Sequence, residues 1–189
     1  MDIQAFFQLC DGKWVSQRTT HQLLEQNNQS GRSDLWGETL EADNSDVVAL
    51  CQQANVDPCL AQCGLRLRWS EVAEAYQSKF KPKNEGSVVL VAIASNPSNA
   101  GQLLRSLNSE NAIKGTYSIG LDEALTLRFE EAGTSSEERI WFASPNLRLR
   151  SSSVKKDGIV CITTFCSEIR MGGAAAPSAE PTAAQSSPS

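Results

Sequence analysis

The feature that most constrains the fold of this chain is a succession of short segments in which apolar and polar residues alternate. A period of two is typical of strands with one buried and one solvated face. The segments cover residues 115–120, 124–130, 138–143, 147–154 and 158–169. Ser144-Pro145-Asn146 and Lys155-Lys156-Asp157-Gly158, which separate the last three, have the composition of tight turns. The pattern predicts an antiparallel sheet built from hairpins.

The N-terminal half adds further strands and two helical segments. Alternation predicts strands at 15–24, 33–40 and 65–69, with a polar turn at 26–31. The continuous apolar run at 87–94 predicts a strand that is buried on both faces or central in the sheet. Residues 72–80 fit either a helix or a strand, and continuity favours a strand. A short helix is predicted over residues 2–9, capped by Asp2, and Asp43-Asn44-Ser45 predicts the start of an inserted helix. The inserted helix is a candidate cover for one mouth of a barrel.

Many short strands joined to their sequence neighbours predict an all-β, mainly antiparallel, up-and-down barrel of about eight to ten strands. Such a barrel can enclose one small ligand. Gly12-Lys13-Trp14 resembles the opening of lipocalin-like barrels, in which the Trp closes the bottom. We expect one domain over residues 1–171. Residues 172–189 consist mainly of Ala, Pro, Ser and Thr, and a segment of this composition is predicted to be a disordered tail.

Composition argues against several classes of function. A net charge of -5 argues against nucleic-acid binding. No apolar run approaches the roughly 20 residues of a membrane span. The N-terminus lacks the basic and small-residue features of a signal peptide, so we expect a cytoplasmic protein with reduced cysteines. With one histidine and no C-x-x-C pair, the chain is predicted to have no metal site.

Two arginines in line on one predicted strand are the strongest candidates for ligand contact. Arg148 and Arg150 share one face of the strand, and Leu147 and Leu149 share the other. Two planar guanidiniums can each bind a carboxylate bidentately. Alternatively, the arginines are solvated and the leucines point into the core, which the pattern alone favours because antiparallel strands usually have one wet face. An enclosing barrel favours the first interpretation.

Three segments carry a resemblance to a known family. They are FQLCDGKWVSQRTTH at 7–21, CGLRLRW at 63–69, and EERIWFASPNLRLRSSSVKKDGIVCITTFCSEIRM at 137–171. The most specific motifs in them are R-T-x-H, W-F-A-S-P-N-L-R-L-R and F-C-S-E-I-R. These segments closely resemble the S/U-type phycobiliprotein lyases, the CpcS/CpeS/CpeU group. The resemblance covers about residues 1–171 and implies a lipocalin-like or fatty-acid-binding-like barrel with an inserted helix.

The resemblance also implies an activity and a substrate. Members of this group attach a linear tetrapyrrole to a cysteine of a phycobiliprotein subunit through a thioether. The substrate would be a phycobilin, either phycocyanobilin or phycoerythrobilin, and no cofactor would be permanently bound. Arg148 and Arg150 would bind the propionates of the bilin, and Trp69 would wall the pyrrole rings. Relatives often carry a second Trp shortly after Trp69, where this chain has Tyr76 instead.

The same resemblance implies catalytic residues and partners. Arg18 and His21 in R-T-x-H correspond to a functional pair, although strict alternation places them on opposite faces of a strand unless a bulge intervenes. Glu138, or its neighbour Glu137, would face the pyrrole nitrogens, and Glu138 is preferred. The partners would be an apo-phycobiliprotein subunit, with the β subunit favoured, and a second lyase chain in a homodimer or a heterodimer with a paralogue.

Two other functions are compatible with these residues. A non-catalytic bilin-binding or lipid-binding carrier would use the same arginines, and covalent transfer to an acceptor distinguishes it from a lyase. A structural or interaction protein would have a filled barrel and a solvated arginine face, and it would take up no ligand.

Overall fold

The structure, a computed structural model, describes residues 1–72, 84–95, 99–106 and 111–172. Ten strands in these ranges form one closed antiparallel barrel. They are β1 (Gly12–Gln22), β2 (Asn27–Leu40), β3 (Ala61–Glu71), β4 (Glu85–Ile93), β5 (Ala100–Ser106), β6 (Ala112–Ile119), β7 (Leu125–Glu131), β8 (Thr134–Ser144), β9 (Leu147–Lys156) and β10 (Ile159–Met171). Each strand pairs with its neighbours in sequence, and β1 pairs with β10 to close the sheet. The predicted all-β, up-and-down barrel is confirmed.

A short helix, α1 (Ile3–Leu9), packs into one end of the barrel. Asp2 caps it as predicted, since its Oδ1 accepts a hydrogen bond from the backbone N of Ala5 at 2.8 Å. Phe6 and Phe7 are fully buried among apolar side chains of β3, β5, β7 and β8. This end of the barrel is therefore filled by the helix, and an internal cavity has to lie beyond it.

The inserted helix, α2 (Ser45–Gln53), lies on the outside of the barrel. Its Val47 packs with Val91 and Leu104, which belong to a second apolar cluster separate from the one around α1. Gly64 permits the close approach, because a Cβ there would lie 2.7 Å from Val47 Cγ2. The expectation that this helix covers a mouth is wrong. The reason is that β4 is apolar on both faces, as predicted, and its outer face needs a cover. No helix in the described part of the chain is long and apolar enough to cross a membrane.

Two strand assignments differ from the sequence prediction. Strand β5 was not predicted, because its seven residues include a glycine and have polar ends around Leu103-Leu104. Residues 27–31, predicted as part of a turn, belong to β2, where pairing with β1 holds them in the sheet. The strand expected at 72–80 and the tail expected at 172–189 lie outside the described residues, apart from Val72 and Gly172.

A β-bulge in the last hairpin sets which side chains meet inside the barrel. The register between β9 and β10 shifts by one residue between Val160 and Ile162. Beyond the shift, Arg148 pairs with Glu168 and Arg150 pairs with Cys166. Directly paired residues project from the same face of a sheet. The bulge therefore places an acidic side chain beside the arginines.

Candidate active site

The barrel encloses a cavity of about 390 Å³ with two chemically different walls. The polar wall comes from β1, β8, β9 and β10 and includes Ser16, Arg18, Ser136, Glu137, Glu138, Arg148, Arg150, Ser152 and Cys166. The facing wall comes from β2, β3, β4, β5 and β7 and is mostly apolar, with Leu35, Leu67, Trp69, Val88, Leu90, Leu127 and Phe129 together with Ser33 and Arg105. A cavity of this size and lining is typical of sites for small organic molecules.

Arg148 and Arg150 both line this cavity. Arg148 is 2% exposed, whereas Leu147 and Leu149 are only partly buried and do not line the cavity. The interpretation with solvated arginines and core leucines is therefore wrong. The leucines lie on the outer face of the sheet, where Leu149 pairs with Trp141 and Leu147 pairs with Ile169.

One buried carboxylate joins the two arginines. Glu168 is fully buried, and its Oε2 accepts a hydrogen bond from Arg148 Nε at 2.5 Å. Its Oε1 lies 3.1 Å from Arg150 Nε, an ion-pair contact without hydrogen-bond geometry. Ser16 Oγ donates a hydrogen bond to the same Oε1 at 3.4 Å. Glu168 therefore approaches both guanidiniums from their Nε side and orients them.

The two neighbouring glutamates of β8 face opposite ways. Glu138 Oε1 lies 3.2 Å from Arg150 Nη1 and is part of the cavity wall. Glu137 is also among the residues that line the cavity, but its carboxylate forms an exposed ion pair with Arg128, whose Nε lies 2.7 Å from Glu137 Oε2. Of the two candidates, Glu138 is thus the one whose carboxylate contacts the arginines of the cavity.

Arg150 remains positively charged in this environment. Burial lowers the pKa of its guanidinium, but the carboxylates of Glu138 and Glu168, helped by Cys166, outweigh burial and raise the pKa above its usual value. The cluster of Arg148, Arg150, Glu138 and Glu168 contains two positive and two negative groups. It is therefore close to neutral as a whole, and each charge is compensated at short range.

The structure does not bring Arg18 and His21 together. Strand β1 pairs with both of its neighbours without a register shift, so no bulge alters the alternation. Arg18 lines the cavity. His21 is exposed and outside the cavity lining, with its Nδ1 2.7 Å from Asn28 Oδ1. The two residues therefore serve different surfaces of the barrel.

Trp69 forms part of the apolar wall of the cavity. It pairs with Gly86 across β3 and β4. A Cβ at position 86 would lie 2.3 Å from Trp69 Cζ2, so the missing side chain makes room for the indole. Glycine on the neighbouring strand therefore determines where the flat face of Trp69 lies. Tyr76, considered above as a replacement for a second Trp, is outside the described residues.

Trp14 is fully buried at the closed end, as expected for a residue that plugs the barrel. Its Nε1 donates a hydrogen bond to the Cys10 backbone oxygen at 3.0 Å. The guanidinium carbons of Arg148 and Arg170 lie 4.6 Å and 4.2 Å from its ring centroid. The Trp14 ring therefore packs against the guanidinium of Arg148. Arg170 links β10 to the end of α1, because its Nη2 donates a hydrogen bond to the Leu9 backbone oxygen at 2.7 Å.

All six cysteines are free thiols. Burial raises the pKa of the Cys63 thiol to about 12, and it also raises the pKa of Cys10. These two are therefore protonated near neutral pH and pack as small apolar residues. Cys166 lines the cavity, with its Sγ 3.8 Å from Arg150 Nη2. Among the described residues, no group of three or more potential ligands is placed to hold a metal ion.

Sequence reasoning missed two charged residues of the site, namely Glu168, which contacts both cavity arginines, and Arg105, which lines the cavity. Glu168 lay within the F-C-S-E-I-R motif but received no role, although alternation placed it on the same face as Cys166. Arg105 was missed because β5 was missed, and it lies on the otherwise apolar wall. A count of inward-facing charges would have pointed to Glu168, since two enclosed arginines require a counter-charge.

Together, the closed barrel, the internal cavity and the charged cluster define a small-ligand-binding barrel of the lipocalin-like class. The chain belongs to the CpeS-like family, whose profile matches residues 2–171. It is 47% identical over 175 residues to a chromophore lyase CpcS/CpeS of Thermosynechococcus vestitus, and the aligned region covers 91% of this chain and 94% of the relative. It is 36% identical over 174 residues to the phycocyanobilin lyase subunit CpcS of a Picosynechococcus strain, over 90% and 86% of the two chains.

A solved structure supports the same assignment. The S-type phycobiliprotein lyase of Guillardia theta superposes with a TM-score of 0.78 at 28% identity, over 92% of this chain and 95% of that one. The family, the fold and the curated relatives agree, and the chain is a lyase of the CpeS-like family.

Proposed function

We propose that this lyase binds a phycobilin, phycocyanobilin or phycoerythrobilin, in its barrel and attaches it to a cysteine of a phycobiliprotein subunit. The observation that carries this proposal is the cavity itself, in which an apolar wall with Trp69 faces a polar wall with Arg148, Arg150 and Glu138. A bilin has the matching chemistry, with flat apolar rings, polar ring nitrogens and two propionates. The functional unit in this proposal is residues 1–171.

Arg148 and Arg150 anchor a propionate of the bilin. Glu168 engages each guanidinium from its Nε side, so a ligand carboxylate reaches them at their Nη groups, beside the contacts that Arg150 already makes there with Glu138 and Cys166. Because Glu168 holds both side chains in place before the ligand arrives, binding requires little further ordering. Trp69 then provides the flat surface for a pyrrole ring.

Glu138 acts on the pyrrole nitrogens. Its carboxylate is already at the cavity wall, 3.2 Å from Arg150 Nη1. A carboxylate near these nitrogens stabilises the protonated tetrapyrrole, which is the more electrophilic form.

The reaction is an addition that has no leaving group. The acceptor thiolate adds to the exocyclic double bond of ring A, a carbon–sulfur bond forms, the π bond breaks, and a proton is taken up at the adjacent ring carbon. Holding the bilin in one orientation makes this step effectively intramolecular once the acceptor docks. Arg18 contributes from inside the cavity, whereas His21, on the outer surface, contributes through the docked acceptor.

The partners in this proposal are an apo-phycobiliprotein β subunit and a second lyase chain, identical or paralogous. An outer apolar patch supports the second chain. It consists of Val15, Trp141, Leu147, Leu149 and Ile169, which neighbour one another across β1, β10, β9 and β8. Ile169 is 58% exposed, and no member of the patch is charged.

The six free thiols agree with a reducing compartment, so we place the reaction in the cytoplasm.

A transfer assay tests the proposal against a non-catalytic carrier. The protein is mixed with phycocyanobilin or phycoerythrobilin, an apo β subunit is added, and the acceptor is denatured. Absorption and zinc-induced fluorescence then show whether pigment stays attached, and a sample without the lyase measures spontaneous addition. We expect lyase-dependent attachment that Arg150→Gln abolishes and that Arg68→Gln, at an exposed residue outside the cavity lining, preserves. Pigment that binds the barrel but never transfers would identify a carrier instead.

A further inference from the structure

The charged cluster on the polar wall can bind one carboxylate of a dianionic ligand, but it offers no partner for the second carboxylate. Arg148 and Arg150 are compensated by Glu168 and Glu138 at contacts of 2.5, 3.1 and 3.2 Å. A neutral cluster can hydrogen-bond a carboxylate, but it contributes little net attraction to a second one. A ligand with two propionates therefore calls for a further cation that no carboxylate of the protein has already neutralised.

Two arginines of the cavity lining, Arg18 and Arg105, form no ion pair with the described part of the chain, and only Arg105 lies on the apolar wall that faces the cluster. Arg105 lines the cavity from β5. It pairs with Leu90 on β4, which also lines the cavity, so the register places its side chain on the inner face of the sheet. In the ring of ten strands, β5 lies opposite the β9 and β10 side that carries the charged cluster.

The guanidinium of Arg105 rests on a prepared surface. Its central carbon lies 5.6 Å from the ring centroid of Phe129, which also lines the cavity and is 8% exposed. Gly115, paired with Phe129, leaves space for that ring, because a Cβ there would lie 2.5 Å from Phe129 Cδ1. The aromatic face supports the guanidinium without neutralising it, so its hydrogen-bond donors stay available to a ligand.

We propose that Arg105 binds one carboxylate of the bilin from the apolar wall, while the Arg148 and Arg150 cluster binds the other. This inference rests on the proposed function, because it names a second contact for the same ligand. It gives the bilin a defined orientation in the barrel, since the two propionates are held from opposite walls. Arg105 is a ligand-binding residue in this scheme and has no part in the bond-forming step.

The test compares two ligands that differ only in their acid groups. Binding of phycocyanobilin and of its dimethyl ester is titrated by absorption against the wild type, Arg105→Met and Arg105→Lys. Arg68→Met serves as the matched control, because it removes one positive charge at an exposed residue outside the cavity lining. Circular dichroism confirms that each variant is folded, and Arg105→Gln replaces the Met variant if that one fails to fold.

We expect Arg105→Met to weaken binding of the free acid by roughly tenfold or more, the effect of losing one charge-assisted contact, and to leave the diester within about twofold of wild type. Arg105→Lys should retain most of the affinity, and Arg68→Met all of it. Unchanged affinity of Arg105→Met for the free acid overturns the inference, as does an equal loss for both ligands. If the wild type binds neither ligand, the proposed function itself fails.

Discussion

Glu168 and Arg148 form an ion pair that is almost completely shielded from solvent, with Glu168 Oε2 2.5 Å from Arg148 Nε. The other carboxylate oxygen lies 3.1 Å from Arg150 Nε, so one acidic side chain orients two basic ones. Charges at this depth are tolerated only when they compensate each other. The pair therefore compensates each of its charges inside the barrel and sets the direction in which the arginines face the cavity.

Removal of the Glu168 charge should destabilise the fold. Glu168→Gln leaves Arg148 as an uncompensated charge that is 2% exposed, and we expect a loss of about 3–5 kcal/mol in the free energy of unfolding, measured by urea denaturation. Glu137→Gln, which removes an exposed ion pair with Arg128, should cost less than about 1 kcal/mol. Adding Arg148→Met to Glu168→Gln should recover part of the loss. Equal stability of the two single variants would contradict this assignment.

Glu138 and Glu137 should differ in function rather than in stability. Glu138→Gln keeps the size of a side chain at the cavity wall but removes its negative charge, so we expect the rate of bilin transfer to fall by roughly a hundredfold, within the range typical of general acid–base groups. Glu137→Gln should transfer at close to the wild-type rate. The readout is the initial rate of covalent attachment at saturating bilin. A larger effect for Glu137→Gln would reverse the assignment of the two residues.

Substitutions at Arg18 and His21 should affect different steps, with Arg18 needed for bilin binding and His21 for transfer to the acceptor. Arg18→Met removes a positive charge from the cavity and should weaken bilin binding by roughly tenfold. His21→Gln changes an exposed residue outside the cavity lining, so bilin affinity should stay within about twofold of wild type. Titration without an acceptor measures binding, and the attachment assay then measures transfer. Loss of bilin affinity in His21→Gln would show that His21 reaches the ligand.

Alkaline pH should destabilise the barrel through Cys63. Burial raises the pKa of this thiol from 9.0 to about 12, with smaller contributions from Asp2 and Glu41. A raised pKa means that the folded state holds the proton more tightly, so the contribution to stability is present below pH 9 and is lost as pH rises towards 12. Urea midpoints between pH 7 and about 10.5 should therefore fall more steeply for the wild type than for Cys63→Ala. Cys59→Ala, at an exposed thiol, should follow the wild type.

The outer apolar patch should hold two lyase chains together. Ile169→Glu places a charge in the middle of this surface, and light scattering after size-exclusion chromatography should show a monomer where the wild type is a dimer. Leu60→Glu changes an equally exposed apolar residue elsewhere, since Leu60 is 50% exposed, and should remain dimeric. A dimeric Ile169→Glu variant would exclude this patch as the contact, and a monomeric wild type would exclude the dimer.

Local sequence signals predicted much of the architecture, because they act over a few residues. Alternation identified most strands, and Asp2 and Asn44 cap the two helices where the capping residues indicated. Strand β5 was missed, since seven residues with a glycine and polar ends carry too little periodicity. The position of α2 was also missed, because it depends on an apolar outer face of β4 that only the assembled barrel presents.

The sequence by itself determined the barrel, its short helices and the arginine pair Arg148 and Arg150, since period-two alternation and turn chemistry are local properties of the chain. Only the tertiary structure decided which charges meet inside the barrel. Without the register shift between Val160 and Ile162, the β9–β10 hairpin would pair Arg148 with Ser167, and Glu168 would point to the opposite face of the sheet. A one-residue change of register reverses every side chain of a strand, and its cost depends on the whole closed sheet. The same closure brings Arg105 opposite the charged cluster, at a distance along the chain that no local pattern encodes.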